Sequence, residues 1–313
     1  MNNISKWTTL PGSTSGLGES PFWHPTEQML YWVDIPGRAI KRANVFMGEV
    51  QSWALAEEPG CIAPAKTGGL VIAQRDGIFR AREWGGALEL VEHSTHDTAT
   101  TRFNDGKCDA LGRLWAGTMY EPRDQYLGQL LCLDRRAGHA PRYDLKVTEG
   151  TIANGLAVSP DNTTIYWANT VDHVVWAWDF DVASGAMSNR RVWQQFPPKP
   201  ADFAFAADGS HTQRYRGRPD GAAVDSQGNY WVAMFEGQRL CQFAPNGALL
   251  QEVLTPALCV TMPCFGGDDL HTLYITTARH NRSAAELAAQ PEAGSVFSMR
   301  VPVPGLAVNF YED

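Results

Sequence analysis

The sequence predicts an all-β fold, a six-bladed β-propeller with four-stranded blades around a central channel. Three observations carry this: one aromatic-rich strand motif recurs six times, its spacing matches one blade, and helical patterning is nearly absent. The motif reads MLYWVDI, GLVIAQR, RLWAGTM, TIYWANT, NYWVAMF and TLYITTA, each reached through a turn rich in Gly, Asp, Asn or Pro. Equivalent positions are Tyr31, Val71, Leu114, Tyr166, Tyr230 and Tyr274, giving successive steps of 40, 43, 52, 64 and 44 residues. A propeller blade takes roughly 40–50 residues. A β-sandwich, the rival arrangement, explains no six-fold repeat of that length.

Ahead of each motif lies a short strand that should line the channel: ESPFWHP, CIAPAKT, NDGKCDA, NGLAVSP, DGAAVDS and PCFGGDD. The motif supplies the second strand. Runs such as HVVWAWDFDVASGAM and LCQFAPNGALLQEVL, with alternation and a Gly-bearing turn, supply an outer hairpin. Only residues 283–290, SAAELAAQ, read as a turn or two of helix. Pairing the first strand with the last blade would remove the open edge of the ring, with residues near Trp7 and the tail 296–311 as candidates. The 52-residue step holds YEPRDQYLG after Met119 or loop material around 135–141; the 64-residue step holds the proline-broken QQFPPKPADFAFAADGSHTQRYRGR. Both predict loops over the channel mouth, the second (195–217) as a lid or as a disordered surface insertion. Residues 1–313 read as one propeller domain.

Composition removes several function classes. No stretch approaches the roughly 18 apolar residues of a membrane span, so no membrane partner is expected. Residues 1–10 hold one lysine and no apolar run, which predicts no secretory leader and a cytoplasmic protein. Six cysteines without a CxxC pair predict reduced thiols. A net charge of −8, with no Lys/Arg run longer than two, lacks the basic stripe that nucleic acid requires. No long amphipathic interface element is present, and a monomer is expected.

Chemistry concentrates where the innermost strands begin. Counted back from the second-strand positions, Glu19 lies 12 residues away, Asn154 12, and Cys61, Asn104, Asp220 and Cys264 10 each. Four oxygen-bearing side chains therefore fall at nearly one level of the channel. Each alone reads as an Asx-type turn cap. Together, convergent carboxylates in a narrow channel repel, and burial raises their pKa unless a cation or donors compensate. Two carboxylates with amide oxygens form a hard ligand set for Ca²⁺, Mg²⁺ or Mn²⁺ that also admits Zn²⁺ or Fe²⁺.

At this point the residues carry a resemblance. LGESPFW around Glu19, RFNDGKCDALGRLWAGTM, NGLAVSPD, PDGAAVD and MPCFGGDDLHTLYITTA are similar to the SMP-30/gluconolactonase/luciferin-regenerating-enzyme-like family over essentially the whole chain. The long RFNDGK…DxxGRLWAGTM segment is specific; NG or PDG alone is weak. The resemblance implies one divalent cation held by Glu19, Asn154 and Asp220, and substrate contacts from Arg102, Asn104 and Glu121, with Asn104 also near the metal. It implies a metal-dependent hydrolase that opens a small-molecule sugar lactone to its aldonic acid. Asp220 would serve as general base for the attacking water. Arg102 is read either as a substrate donor or as a clamp on a loop carboxylate. Glu121 sits in the segment that departs most from the family pattern.

Other features point away from alternatives. Cys61 and Cys264 sit at the channel level by count, but no base or cation is identifiable to activate a thiol, so they read as packing residues. None of the eight histidines shows ligand spacing, though His93 and His96 stand i,i+3 as a candidate accessory contact. GESPFW lacks the Gly-x-Ser-x-Gly elbow of serine hydrolases. Two further functions stay open: a broader metal-dependent esterase or phosphotriesterase, and a non-catalytic calcium-binding regulatory propeller.

Overall fold

In the computed structural model, which describes residues 7–313, each repeat forms one four-stranded antiparallel sheet, and six such sheets ring the axis. Residues 1–6, part of the stretch read above as lacking a leader, lie outside the described residues. The innermost strands are Gly18–His24, Pro59–Pro64, Thr101–Cys108, Ala153–Val158, Arg218–Val224 and Val260–Gly266, numbered here as blades one to six. Each is followed by its predicted motif strand: Met29–Asp34, Leu70–Gln74, Leu114–Tyr120, Thr164–Asn169, Tyr230–Phe235 and Thr272–Thr277. Blade six is completed from both ends of the chain. Phe297–Arg300 supplies its third strand and Thr8–Thr9 its fourth, paired as Thr8↔Ser298 and Thr9↔Phe297. No helix among the described residues is long and apolar enough to cross a membrane.

The same register recurs in every blade. The residue after each repeat position (Trp32, Ile72, Trp115, Trp167, Trp231, Ile275) is at most 1% exposed. Successive strand residues face opposite sides of a sheet, so these side chains alternate with their equally buried neighbours to fill the space between blades. Outer strands such as Glu49–Ala54 are wet, and none of that strand's residues is buried.

Two of the tryptophans are fixed by a buried aspartate in the turn before them. In DALGRLW, Asp109 accepts from the Leu111 and Arg113 backbone N–H groups, from Arg113 Nε at 2.6 Å and from Trp115 Nε1 at 2.8 Å. In DSQGNYW, Asp225 accepts from the Gln227 and Asn229 backbone, from Asn229 Nδ2, and from Trp231 Nε1 at 3.0 Å. Removing such an acceptor strands several buried donors at once. Asp225→Ala is expected to lower unfolding free energy by about 3 kcal/mol. Urea denaturation checks this, and a loss below about 1 kcal/mol would rule out the structural role.

The long interval in blade three contributes at both ends. Residues 121–127 join Leu114–Tyr120 to Gly128–Asp134 at the end where Thr101 pairs with Tyr120. Residues 135–141 do not cover that mouth, contrary to the sequence reading. They join Gly128–Asp134 to Arg142–Gly150 at the opposite end, where Leu114 pairs with Leu133, because three antiparallel crossings reverse the chain. Residues 196–217 do reach the mouth, and they pack on it: Tyr215 is 2% exposed, its hydroxyl 2.8 Å from His173 Nε2. The segment also contains a four-residue helix, His211–Arg214, that sequence patterning missed. The predicted helix near 283–290 is present as Ala284–Ala289, with the Ser283 side chain accepting from Glu286 N.

Beyond Arg300 the tail joins no strand ladder of blade six among the described residues and bonds instead to the turn before its second strand (Val301 N to His271 O, Gly305 N to Leu270 O), which narrows the predicted closing element to Phe297–Arg300. The tail then crosses the far mouth. Ser226 N donates to Pro304 O, and Gly305 bridges Asp225, both in blade five. Tyr311 bridges Ala65 in blade two, and Glu312 N donates to Gly112 O in blade three. Blades two and five face each other across a six-membered ring, so the tail lies along a diameter. Leu306, Ala307 and Val308 lie over a mostly apolar cavity of about 140 Å³ there.

Candidate active site

Every innermost strand breaks register with its neighbour near the same level. The shifts fall between Glu19 and Phe22, Pro59 and Cys61, Phe103 and Gly106, Asn154 and Ala157, Pro219 and Ala222, and Val260 and Met262. A β-bulge inserts an unpaired residue and re-aims its side chain. Here six bulges form one ring, and Glu19, Asn104, Asn154 and Asp220 sit in it or at its edge. The bulge after Asn154 needs glycine: Gly155 has φ +62°, and a Cβ there would stand 2.5 Å from Tyr230 Oη. After Glu19 the same left-handed turn is made by Ser20 (φ +50°), whose hydroxyl accepts from Ile62 N at 3.0 Å and ties blade one to blade two.

Above the ring opens a cavity of about 360 Å³, lined by Glu19, Arg102, Asn104, Asn154 and Asp220. The structure thus brings five of the six sequence-selected residues to one cavity. Glu121 does not line it. Its carboxylate stands on the rim, 38% exposed, accepting from Arg75 Nη1 at 2.9 Å and Nη2 at 3.1 Å, with Arg102 Nε 3.8 Å away. Arg75 also donates to Glu58 at 2.5 Å. This Glu58–Arg75–Glu121 chain went unseen in the sequence because its members come from separate turns.

A line of hydrogen bonds orients the amides across three blades. Arg102 Nη1 donates to Asn104 Oδ1 at 2.8 Å, and Asn104 Nδ2 donates to Asn154 Oδ1 and Ala153 O, both at 2.9 Å. Asn154 Nδ2 donates to Thr170 Oγ1, which donates to Pro219 O, each at 2.8 Å. With its nitrogen bonded to Thr170, Asn154 keeps a free lone pair on an oxygen that accepts from Asn104. Arg102 is itself buried and also donates to Phe103 O at 2.9 Å, so it clamps the strand that carries Asn104.

The carboxylates are short of partners. Glu19 accepts only from Ser20 N, at 3.4 Å, and Asp220 accepts from no side chain among the described residues. Burial drives the Glu19 carboxyl well above its usual range, and the charges of Asp220 and Asp105 add to that. Burial likewise raises Asp220, against the pull of Arg218. A divalent cation would relieve both, and the donors facing the cavity are hard oxygens. Among the described residues no three His, Cys, Asp or Glu side chains gather, so no thiolate or imidazole site competes.

Beneath the ring lie Asp105 and Lys107, which the sequence reading passed over inside RFNDGK. Lys107 Nζ donates to Leu156 O at 3.0 Å and Ala222 O at 2.6 Å. Asp105 Oδ2 accepts from Leu156 N at 2.8 Å, while its Oδ1 is buried without a partner. Cys61 and Cys264 are not level with the ligands. Cys264 lines the far cavity and Cys61 packs against Gly106, each just past its strand's bulge, where residue counting loses register. Burial pushes both thiols far above neutrality. All six cysteines are buried and unbridged. His96 bonds Arg75 O at 3.0 Å, and neither it nor His93 reaches the cavity; His280 does.

Residues 17–279 match the sequence profile of the SMP-30/Gluconolactonase/LRE-like region. A 6-deoxy-6-sulfogluconolactonase of Pseudomonas putida is 41% identical over 293 residues, covering 94% of each chain. Regucalcin of Danio rerio is 32% identical, covering 93% of this chain and 92% of its own. Among solved structures, a calcium-binding regucalcin from Agrobacterium tumefaciens superimposes with a TM-score of 0.86 at 23% identity over 97% of both chains, which shows the shared fold.

Proposed function

Because this chain belongs to the SMP-30/Gluconolactonase/LRE-like family, we propose that it hydrolyses a sugar lactone to its aldonic acid. The observation that carries the proposal is the ring of bulges, which sets two partner-poor carboxylates and an amide oxygen beneath a polar cavity. The sulfogluconolactonase relative supports the same chemistry.

Glu19, Asn154 and Asp220 would hold a divalent cation, which when bound supplies a Lewis acid for the lactone carbonyl. The chain's own residues do the rest. Asp220 accepts a proton from water as the water oxygen bonds to the acyl carbon; the acyl–O bond of the ring then breaks, and the proton passes to the departing alkoxide. The net change is addition of one water across one ester bond. Asn104, its oxygen and nitrogen held by Arg102 and Asn154, fixes the position of the substrate against that carboxylate. Glu121, on the rim, is aimed by Arg75 to accept from a sugar hydroxyl.

The test is acid release from glucono-, galactono-, xylono- and arabinonolactone, corrected for spontaneous hydrolysis, before and after chelation and with added Mn²⁺, Zn²⁺, Fe²⁺ or Ca²⁺. Hydrolysis that disappears on chelation and returns with metal supports the proposal; background rates with every metal overturn it. A second expectation concerns Arg75. Arg75→Met releases Glu121 and should lower kcat/KM about tenfold, mainly through KM, the size of one charged hydrogen bond. An unchanged KM would remove Glu121 from substrate recognition.

A further inference from the structure

On the cavity floor Glu19 and Asp220 are set against the proposed cation, and in the sector of blades two and three cations and carboxylates balance. Arg75 and Arg102 face Glu58 and Glu121, and Lys107 lies near Asp105. The wall toward blades five and six differs. It presents Arg123, Lys199, Arg218 and Arg282, together with His280, to the cavity. Two carboxylates form ion pairs with three of these four cations, and Asp220 attracts Arg218 from the floor. Glu236 takes Lys199 at 2.7 Å, Arg282 at 3.0 Å and Arg218 at 3.2 Å. Glu286 takes Arg282 at 2.8 Å. Arg123 makes no ion pair or hydrogen bond among the described residues. Its backbone stands at φ +64°, an uncommon conformation for a side chain of this size, and the residue is exposed, with Arg218 disfavouring its charge and Glu121 and Glu236 favouring it from beyond pairing distance.

A wall on which three cations share Glu236 and a fourth, Arg123, pairs with no carboxylate among the described residues is arranged for an anion once the floor carboxylates hold a cation. We infer that the substrate is a lactone carrying an anionic substituent at the end remote from its ester carbonyl, and that Arg123, Lys199 and Arg218 bind that group. This rests on the lactonase reading. Arg218 lies two residues before Asp220 on the same strand, about 7 Å along it, so the anion subsite and the base are separated by a length on the scale of a sugar ring. Guanidinium and ammonium donors suit a sulfonate, a phosphate or a carboxylate alike, since all three offer several oxygens to charged N–H groups.

The experiment compares kcat/KM for gluconolactone with that for its analogues bearing a sulfonate, a phosphate or a carboxylate at C6, using the metal-loaded wild type, Arg123→Gln and Lys199→Gln. Arg123→Gln leaves no ion pair broken, so it is the variant least exposed to misfolding. In parallel, calorimetry measures binding of the corresponding open-chain acids, with and without the C6 anion. The wild type should prefer at least one anionic lactone about tenfold or more, the ratio should shrink about tenfold in Arg123→Gln, and added salt should weaken it. Hydrolysis of all lactones at equal kcat/KM overturns the anion subsite and leaves the lactonase reading intact. No hydrolysis, but C6-anion binding that Arg123→Gln weakens, sustains the subsite and overturns the lactonase. Neither hydrolysis nor selective binding overturns both.

Discussion

Asp220→Asn is expected to lower kcat on the preferred lactone by about a thousandfold or more. General-base catalysis alone is worth about 10²–10⁴-fold, and the same substitution removes one of two negative charges facing the proposed cation. The amide keeps an oxygen of the same shape, so the ring of bulges should survive; no side-chain hydrogen bond to Asp220 is there to be lost. Glu19→Gln tests the separate contribution of charge, because Glu19 has no assigned proton-transfer role. Steady-state acid release with parallel metal analysis distinguishes the two. If Asp220→Asn retains its metal and more than a tenth of wild-type kcat, Asp220 is not the base.

The second large effect is thermodynamic. In the metal-free chain burial raises Glu19 well above its usual range and Asp220 to about 8. A group whose folded pKa is raised stabilises the fold below its unfolded pKa, and that contribution is lost as pH climbs through the folded value. Metal-free protein should therefore weaken between the ordinary carboxylate range and about pH 8. A divalent cation must displace the same protons, so it binds more tightly as pH rises. At a thousandfold excess over Kd, ligand linkage supplies about 4 kcal/mol. For a chain of this size that is a rise in Tm of about 6 °C. Thermal unfolding with and without metal should show most of that gain at pH 8.5 and less than half at pH 5.5. A gain independent of pH would mean that the carboxylates are not the ligands.

Much of the architecture was legible because it repeats. A motif found six times fixes blade number, strand order and the inward face, and the burial of Trp32, Trp115, Trp167 and Trp231 follows from one register. The positions of Glu19, Asn104, Asn154 and Asp220 were legible for the same reason. Cys61 and Cys264 misled because in blades two and six the bulge falls ahead of the counted position, whereas in blades three and five it encloses Asn104 and Asp220. Glu58, Arg75, Arg123, Lys199 and Glu236 were not legible at all. Arg75 ends the repeated GLVIAQR run and the others lie in turns that do not repeat, so their meeting is set by where the blades place those turns. Residues 135–141 show the same limit, since composition marks a loop but not the end of the sheet on which it falls.

The tail across the far mouth gives the channel a single door. Whatever enters past Arg123 and Lys199 must leave past them, and the opened acid carries one more negative charge than the lactone it came from. Exit is therefore slower than entry for the same cations that speed capture, and the acid should compete with incoming lactone for the vestibule. Turnover would then be throttled by departure once product accumulates, a brake that belongs to the plugged geometry and not to the chemistry.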